Sequence, residues 1–128
     1  MNDLIFVYGT LLDPENKYGV YLRDNSKFFS SAKLKGKLFD LGDYPGVVLY
    51  PDGTDLVHGI LLQMDDPATV LDVLDIYEGF GKDQPQPNEF VRVLTEAVTE
   101  PGIVICWVYV YNRSLDNVRQ ITSGNYHE

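Results

Sequence analysis

The segment Ile103–Tyr111, which is apolar or aromatic throughout, constrains the fold more than any other part of the chain. Successive side chains of a strand point to opposite faces, so both faces of this strand would be apolar. One face would carry Ile103, Ile105, Trp107, Tyr109 and Tyr111, and the other would carry Val104, Cys106, Val108 and Val110. Such a strand is typical of a barrel wall, with the barrel interior on one side and a covering helix on the other.

Further strands are predicted from apolar runs bounded by turn signals. These runs are residues 2–8, 34–41, 47–50, 56–64 and 90–98. The pair Asp52-Gly53 predicts a hairpin that leads into residues 56–64. With the strand described above, these runs predict a small β-barrel with a few helices.

The two flanking helices are predicted from their capping signals. Asp13 would cap a helix over residues 14–23, because a short acidic side chain can accept hydrogen bonds from the first turn. A second helix would begin at Asp66-Pro67 and end at Gly79, with apolar residues at helical spacing between them.

Length and composition suit a single domain over residues 1–128. A hydrophobic content of 45% with 23% charged residues is ordinary for a soluble globular protein. The formal net charge of −9 would repel phosphates and anionic lipids, and the Lys and Arg residues are scattered. We therefore expect neither nucleic acid nor a membrane as a partner, and the sequence leaves the oligomeric state open.

Cysteine usage and hydropathy predict the compartment. Cys106 is the single cysteine, so an internal disulfide is excluded, and no Cys/His set has the spacing of a metal site. In its apolar run Cys106 is expected to be an inert core thiol. The longest apolar stretch is about half as long as a membrane span, and the first residues do not resemble a secretory signal. We expect a soluble, cytoplasmic protein without a bound metal.

The tetrapeptide Tyr8-Gly9-Thr10-Leu11 follows the first predicted strand. Gly9 has no Cβ, which lets the backbone turn sharply and approach a ligand closely. The amides of Thr10 and Leu11, together with the Thr10 hydroxyl, can then hold a carboxylate or a developing oxyanion. A glycine at a strand end is most often only a turn, so both interpretations stay open here.

Glu78 lies at the predicted end of the second helix, where a carboxylate meets the negative end of the helix dipole. A solvated surface glutamate is the ordinary explanation of such a position. If Glu78 instead faces a cavity, burial and the dipole would both raise its pKa and make it a general base near neutral pH. His58 has no partner of a catalytic type in the sequence, and we assign it no role.

Taken in order, six segments of the chain resemble the gamma-glutamylcyclotransferase-like family, of the gamma-glutamylamine cyclotransferase type. They are residues 6–11 (Phe-Val-Tyr-Gly-Thr-Leu), 44–46 (Tyr-Pro-Gly), 57–59 (Val-His-Gly), 71–79 (Leu-Asp-Val-Leu-Asp-Ile-Tyr-Glu-Gly), 90–92 (Phe-Val-Arg) and 107–111 (Trp-Val-Tyr-Val-Tyr). The closing residues 121–126 are also similar to the family's carboxyl-terminal segment.

The resemblance implies an α+β fold, a small mixed β-barrel with a few flanking helices, and it also implies a function. In characterised enzymes of the family, the α-amine of a γ-glutamyl amide attacks its own γ-carbonyl, which forms 5-oxoproline and releases an amine. Carried over, Glu78 would be the general acid and base, while Tyr8, Gly9, Thr10 and Leu11 would bind the glutamyl group. The resemblance implies no metal and no organic cofactor. An intramolecular attack has its nucleophile already tethered, so one carboxylate and a few amides suffice.

The sequence departs from the family at Phe90, where the family often has Tyr, so a hydroxyl contact is lost there. Arg92 remains as a possible partner of Glu78 or of the substrate carboxylate, and equally as a structural ion-pair residue. Two other functions stay open: a non-catalytic small-ligand-binding or regulatory module, and an amide hydrolase that releases glutamate. The leaving amine is not identified by the sequence.

Overall fold

The computed structural model of the chain describes residues 2–126, in which seven strands and two α-helices are present. The strands are β1 (Leu4–Val7), β2 (Ser26–Asp40), β3 (Pro45–Leu49), β4 (Leu56–Met64), β5 (Phe90–Val98), β6 (Ile103–Tyr111) and β7 (Arg119–Ile121). The helices are α1 (Lys17–Asp24) and α2 (Pro67–Glu78), and a 3-10 turn, Thr10–Leu12, lies between β1 and α1. Neither α-helix within residues 2–126 has the length and apolar character needed to cross a membrane.

Five of the strands close into a barrel. The order along the sheet is β3-β2-β4-β1-β6-β5, and β5 returns to β2 through the pairing of Lys33 with Val98. The pairing of β1 with β6, where Ile5 lies opposite Trp107, is parallel, whereas the other pairings are antiparallel. The predicted α+β fold with a mixed barrel and flanking helices is therefore confirmed.

Two apolar layers hold this fold together. The barrel interior contains Phe6, Leu34, Leu61, Cys106 and Val108. The layer between the barrel wall and the helices contains Ile5, Val7, Leu22, Leu71, Leu74 and Tyr109. Strand β1 contributes to both layers because its side chains alternate between the two faces of the wall. All four of its residues are buried, as its apolar sequence predicts.

The two faces of β6 match the prediction along only part of the strand. Its even-numbered residues pack in the barrel interior, and Trp107, Tyr109 and Tyr111 pack in the helical layer. Ile103 and Ile105 are instead 63% and 44% exposed. The helical layer covers one end of the strand only, and a sequence pattern cannot show how far a neighbouring helix reaches.

The start of α1 differs from the prediction. The helix begins at Lys17, and Asn16 caps it by accepting hydrogen bonds from the backbone N–H groups of Tyr18 and Gly19. Asp13 is not the cap. Its backbone N–H closes the preceding 3-10 turn by donating to Thr10, so at this residue the chain is still ending one turn and has not begun the next helix.

Two strand predictions are also corrected. Strand β2 begins at Ser26, well before residue 34, because residues 26–33, which have no continuous apolar run, form a strand by backbone pairing with β4. The hairpin expected between β3 and β4 does not form. A turn is present, with the N–H of Gly53 donating to Tyr50, but β3 and β4 pair with opposite edges of β2.

Helix α2 has the predicted ends, and these determine where Glu78 lies. Asp66 accepts from the backbone N–H of Thr69, and Pro67 is the first helical residue. Gly79 ends the helix with a φ of 73°, in the left-handed region that glycine adopts without a steric penalty. Glu78 is therefore the last helical residue, and the chain leaves the helix directly after it.

Candidate active site

A cavity of about 260 Å³ lies where the end of β1, the 3-10 turn, the end of α2 and the start of β5 meet. This volume is somewhat below the usual range for drug-sized ligands, so it suits a small molecule. Aromatic side chains and two carboxylates dominate the lining, which consists of Phe6, Val7, Tyr8, Gly9, Thr10, Leu11, Tyr44, Pro45, Tyr77, Glu78, Glu89, Phe90 and Tyr109. The structure thus brings all five residues expected to form the site to one cavity.

Tyr8 and Gly9 form the first part of the loop that borders the cavity. The buried Tyr8 hydroxyl donates to the backbone carbonyl of Tyr109 at 2.8 Å, which joins the loop to β6. Burial, with the nearby charge of Glu78, raises the pKa of Tyr8 well above its usual value, so this hydroxyl stays neutral. A Cβ on Gly9 would lie 2.8 Å from Cγ of Pro45, so only glycine fits between the loop and Pro45.

Thr10 takes part in a chain of hydrogen bonds between the loop and α2. The Oγ1 of Thr10 and the hydroxyl oxygen of Tyr77 are 3.0 Å apart, and Nδ2 of Asn16 donates to the same Tyr77 oxygen at 3.0 Å. Because the NH2 group of Asn16 can only donate, the proton of Tyr77 is available to Thr10. The Thr10 hydroxyl can then direct its own proton toward a ligand. Tyr77 is held in this position by stacking on Tyr18, with ring centroids 4.4 Å apart.

Leu11 completes the loop and holds it against α1. Its side chain is buried in the helical layer, and its carbonyl accepts a hydrogen bond from Nη1 of Arg23 at 3.1 Å. A Cβ on Gly19 would lie only 2.5 Å from this carbonyl oxygen, so α1 packs closely on the loop because that position is glycine. The first N–H groups of a helical turn have no partner inside the turn, so those of Thr10 and Leu11 can donate to a ligand.

Glu78 is half-buried on the cavity wall. Its surroundings raise the pKa from 4.5 to about 8, mainly because burial disfavours the charged carboxylate and also because of the negative charge of Glu89. A carboxyl group with this pKa can both accept and donate a proton near neutral pH. The sequence suggested such a shift on condition that the residue faced a cavity, and the structure meets that condition.

Glu89, which the sequence analysis did not single out, is the second carboxylate of the cavity. It is half-buried directly before β5, and the Tyr44 hydroxyl donates to its Oε2. This hydrogen bond and the charge of Glu89 raise the pKa of Tyr44 to about 12. No local pattern marks Glu89, and its position just before the segment Phe-Val-Arg is the only signal that could have drawn attention to it.

Phe90 and Arg92 are both held in place by neighbouring side chains. The buried ring of Phe90 lines the cavity and packs against Tyr44 and Tyr111, with centroids 6.1 Å and 5.7 Å away. Arg92 donates to both carboxylate oxygens of Asp75, at 2.8 Å and 3.0 Å, and lies over the Trp107 ring. Its guanidinium is therefore bound by Asp75 and is not part of the cavity lining.

The remaining residues considered from the sequence lie outside the cavity. His58 belongs to β4, and its backbone N–H donates to the carbonyl of Gly124 at 2.8 Å. Cys106 is buried in the barrel interior, where burial raises the pKa of its thiol to about 12, as expected of an unreactive core thiol. Within residues 2–126, no group of three or more His, Cys, Asp or Glu side chains is arranged to hold a metal ion.

Comparison with known proteins identifies the family to which the chain is similar. A family model described as Gamma-glutamyl cyclotransferase, AIG2-like matches residues 5–128. The Gamma-glutamylcyclotransferase family protein YtfP of Escherichia coli K12 is 34% identical over 129 aligned positions, which cover 95% of this chain and 94% of that protein.

Solved structures agree with this match. The solution structure of the Escherichia coli protein ytfP superposes with a TM-score of 0.67 at 31% identity and covers 96% of this chain and 95% of that one. The crystal structure of YkqA from Bacillus subtilis has a TM-score of 0.71 at 28% identity. The match covers 98% of this chain but only 40% of YkqA, so YkqA is much the longer protein.

Proposed function

The chain belongs to the gamma-glutamyl cyclotransferase, AIG2-like family, and from that premise we propose that it converts a γ-glutamyl amide to 5-oxoproline and a free amine. The observation that carries the proposal is a half-buried carboxyl group, Glu78, with a pKa near 8, on the same small cavity as the loop of Tyr8, Gly9, Thr10 and Leu11. All steps use groups of this chain and of the substrate.

In the proposed reaction, Glu78 moves two protons, one after the other, between two nitrogens. The carboxylate of Glu78 takes a proton from the substrate α-ammonium, and the amine nitrogen forms a bond to the γ-carbonyl carbon. The bond from that carbon to the amide nitrogen then breaks as the protonated Glu78 gives its proton to the leaving nitrogen. Glu78 takes the second proton from the ring nitrogen, which becomes the lactam N–H, and passes it to the released amine, which departs as an ammonium. No atom is gained or lost, and no water is consumed.

The pKa of Glu78 supports this role. The α-ammonium of a peptide has a pKa of roughly 8, and the free α-carboxylate of a γ-glutamyl group raises that value. The pKa of about 8 for Glu78 is much closer to it than the ordinary 4.5, so the transfer of the proton from the ammonium to the carboxylate costs much less free energy than with an ordinary glutamate. A glutamate with an ordinary pKa would be a much weaker base toward this group.

The loop supports the second half of the proposal, which is substrate binding. We assign the substrate's α-carboxylate or its developing oxyanion to the amides of Thr10 and Leu11 and to the Thr10 hydroxyl. Tyr8 and Gly9 would form the adjoining wall against the glutamyl carbons. The close packing of Gly9 on Pro45 and of Leu11 on α1 holds this loop in one conformation, so little ordering is needed when a ligand binds.

The decisive experiment compares the wild type with Glu78→Gln on a panel of γ-glutamyl amides. We expect the wild type to release 5-oxoproline, and we expect Glu78→Gln to fold normally and turn over at least ~100-fold more slowly, because the amide cannot accept a proton. Glu96→Gln is a matched control, since Glu96 is exposed on β5 and outside this cavity. Equal turnover by the wild type and Glu78→Gln would refute the proposed mechanism.

The products distinguish the two alternative functions. Release of free glutamate in place of 5-oxoproline would identify a hydrolase in which Glu78 activates water. Tight binding of 5-oxoproline or of a γ-glutamyl amide without any turnover would identify a binding module.

A further inference from the structure

The cavity has a one-sided distribution of charge. In the part of the chain that the structure describes, residues 2–126, no Lys, Arg or His side chain lines it, whereas Glu78 and Glu89 both do. A γ-glutamyl group itself carries one negative and one positive charge. A lining with two carboxyl groups and no cation is therefore unexpected, unless the rest of the substrate brings more positive charge.

Glu89 has no basic partner of its own. Among residues 2–126 the ion pairs are Asp75 with Arg92 and Asp40 with Arg119, and neither includes Glu89. Arg113, whose positive charge reaches the Tyr44 hydroxyl, is exposed and donates to the backbone carbonyl of Pro87 at 3.3 Å and 3.1 Å. The Tyr44 hydroxyl bonds Oε2 of Glu89 but brings no charge. A half-buried carboxylate without a counter-ion is unfavourable, which makes its charge available to a ligand.

We propose that Glu89 binds a second ammonium group, one carried by the leaving amine, so that the preferred substrates are γ-glutamyl derivatives of diamines or polyamines. This inference rests on the proposed function. In that mechanism the α-ammonium contacts Glu78 and the α-carboxylate contacts the loop. The portion of the substrate left for Glu89 is the amine beyond the amide bond.

The negative charge of the cavity lining argues against amino acids as leaving groups. A leaving amino acid would bring its own carboxylate into a cavity that already contains Glu89 and, when the base is ionised for the reaction, the Glu78 carboxylate, and like charges in a partly buried site repel strongly. The formal net charge of −9 acts in the same direction at long range, since it attracts cationic substrates and repels anionic ones.

The test measures binding without turnover. Two amides of equal length are compared by calorimetry on Glu78→Gln: γ-glutamyl-1,4-diaminobutane, which ends in an ammonium, and γ-glutamyl-pentylamine, which ends in a methyl group. We expect the diamine amide to bind at least ~10-fold more tightly, as is usual for a charge-assisted hydrogen bond. Adding Glu89→Gln should reduce the difference to within about 2-fold without weakening the pentylamide.

Two controls separate a direct contact from other effects of the substitution. Glu96→Gln in the same background removes the same charge from an exposed site and should keep the preference. Tyr44→Phe removes the hydrogen bond to Glu89 but not its charge, and it should also keep the preference.

Several results would overturn the inference. These are equal binding of the two amides by Glu78→Gln, a preference that survives Glu89→Gln, and a preference that Glu96→Gln abolishes equally. If wild type releases 5-oxoproline from the pentylamide as readily as from the diamine amide, the proposed function stands and this inference falls. If neither amide binds and no γ-glutamyl amide yields 5-oxoproline, both fall together.

Discussion

The pKa of Glu78 connects the chemistry of one residue with the free energy of unfolding. In the unfolded chain this carboxyl group titrates near 4.5, and in the fold near 8. Between these pH values the folded protein binds more protons than the unfolded chain, so stability falls as the pH rises and is lowest above about pH 8. The shift corresponds to at most about 5 kcal/mol.

The fall in stability with rising pH gives a prediction for a variant of Glu78. Replacing Glu78 by Gln removes the titration and keeps a neutral side chain of similar shape. Glu78→Gln and the wild type should have nearly equal unfolding free energies at pH 4.5. At pH 8.5 the variant should be more stable by at least ~2 kcal/mol. Urea unfolding at the two pH values measures this difference. A constant difference at both values would show that the Glu78 pKa is not raised in the fold.

At the scale of elements, the connection from β1 to the 3-10 turn depends on its contact with Pro45, the first residue of β3. Gly9 lies where a Cβ would come within 2.8 Å of the Pro45 ring, and both residues line the cavity. A proline ring cannot turn away as a flexible side chain can. Any larger residue at position 9 must therefore displace the loop or β3, and either movement changes the cavity.

We predict that Gly9→Val weakens the binding of 5-oxoproline by at least ~10-fold, because its β-branched side chain cannot avoid this contact. Gly9→Ala should have a smaller effect in the same direction. Calorimetry measures both affinities, and circular dichroism confirms that the variants are folded. If Gly9→Val binds 5-oxoproline as the wild type does, the loop is not the binding element and the glutamyl group lies elsewhere in the cavity.

At the scale of the whole molecule, the carboxyl-terminal segment packs on two strands of the barrel, β2 and β4. Strand β7 pairs with β2 through residues 119–121, and the backbone at Gly124 then lies beside β4. At Gly124 the φ is 72°, and a Cβ would lie 1.9 Å from the backbone oxygen of Leu56. The adjacent hydrogen bond from His58 to the Gly124 carbonyl, at 2.8 Å, shows how close the two backbones lie.

Gly124→Ala should therefore lower the unfolding free energy by at least ~2 kcal/mol, and lower Tm by at least ~5 °C. Gly79→Ala is the matched control, because Gly79 has a φ of 73° and no atom within 4 Å of its added Cβ. It should cost only about 1 kcal/mol, the usual penalty of a left-handed non-glycine residue. Equal destabilisation by the two substitutions would mean that the segment does not pack on β4 as described.

The elements that could be predicted are those whose signals are local. Asp66, Pro67 and Gly79 act within one helical turn of the ends of α2, and the bounds of β5 and β6 follow from apolar runs beside a turn. The first half of β2 has no such signal, since Phe28 and Phe29 are 65% and 46% exposed and most of its other residues are polar. Its conformation depends on backbone pairing with β4, about 30 positions further along the chain.

For the site, the sequence by itself determined the loop of Gly9 and Thr10, the last helical residue Glu78, and a resemblance that connected them. Only the tertiary structure decided that they border one cavity, that Arg92 is bound by Asp75, and that Glu89 is the second carboxylate. The physical reason is that the pKa of Glu78 depends on burial and on a charge that reaches it through space. Both are set by distances between side chains, and local sequence signals contain no information about those distances.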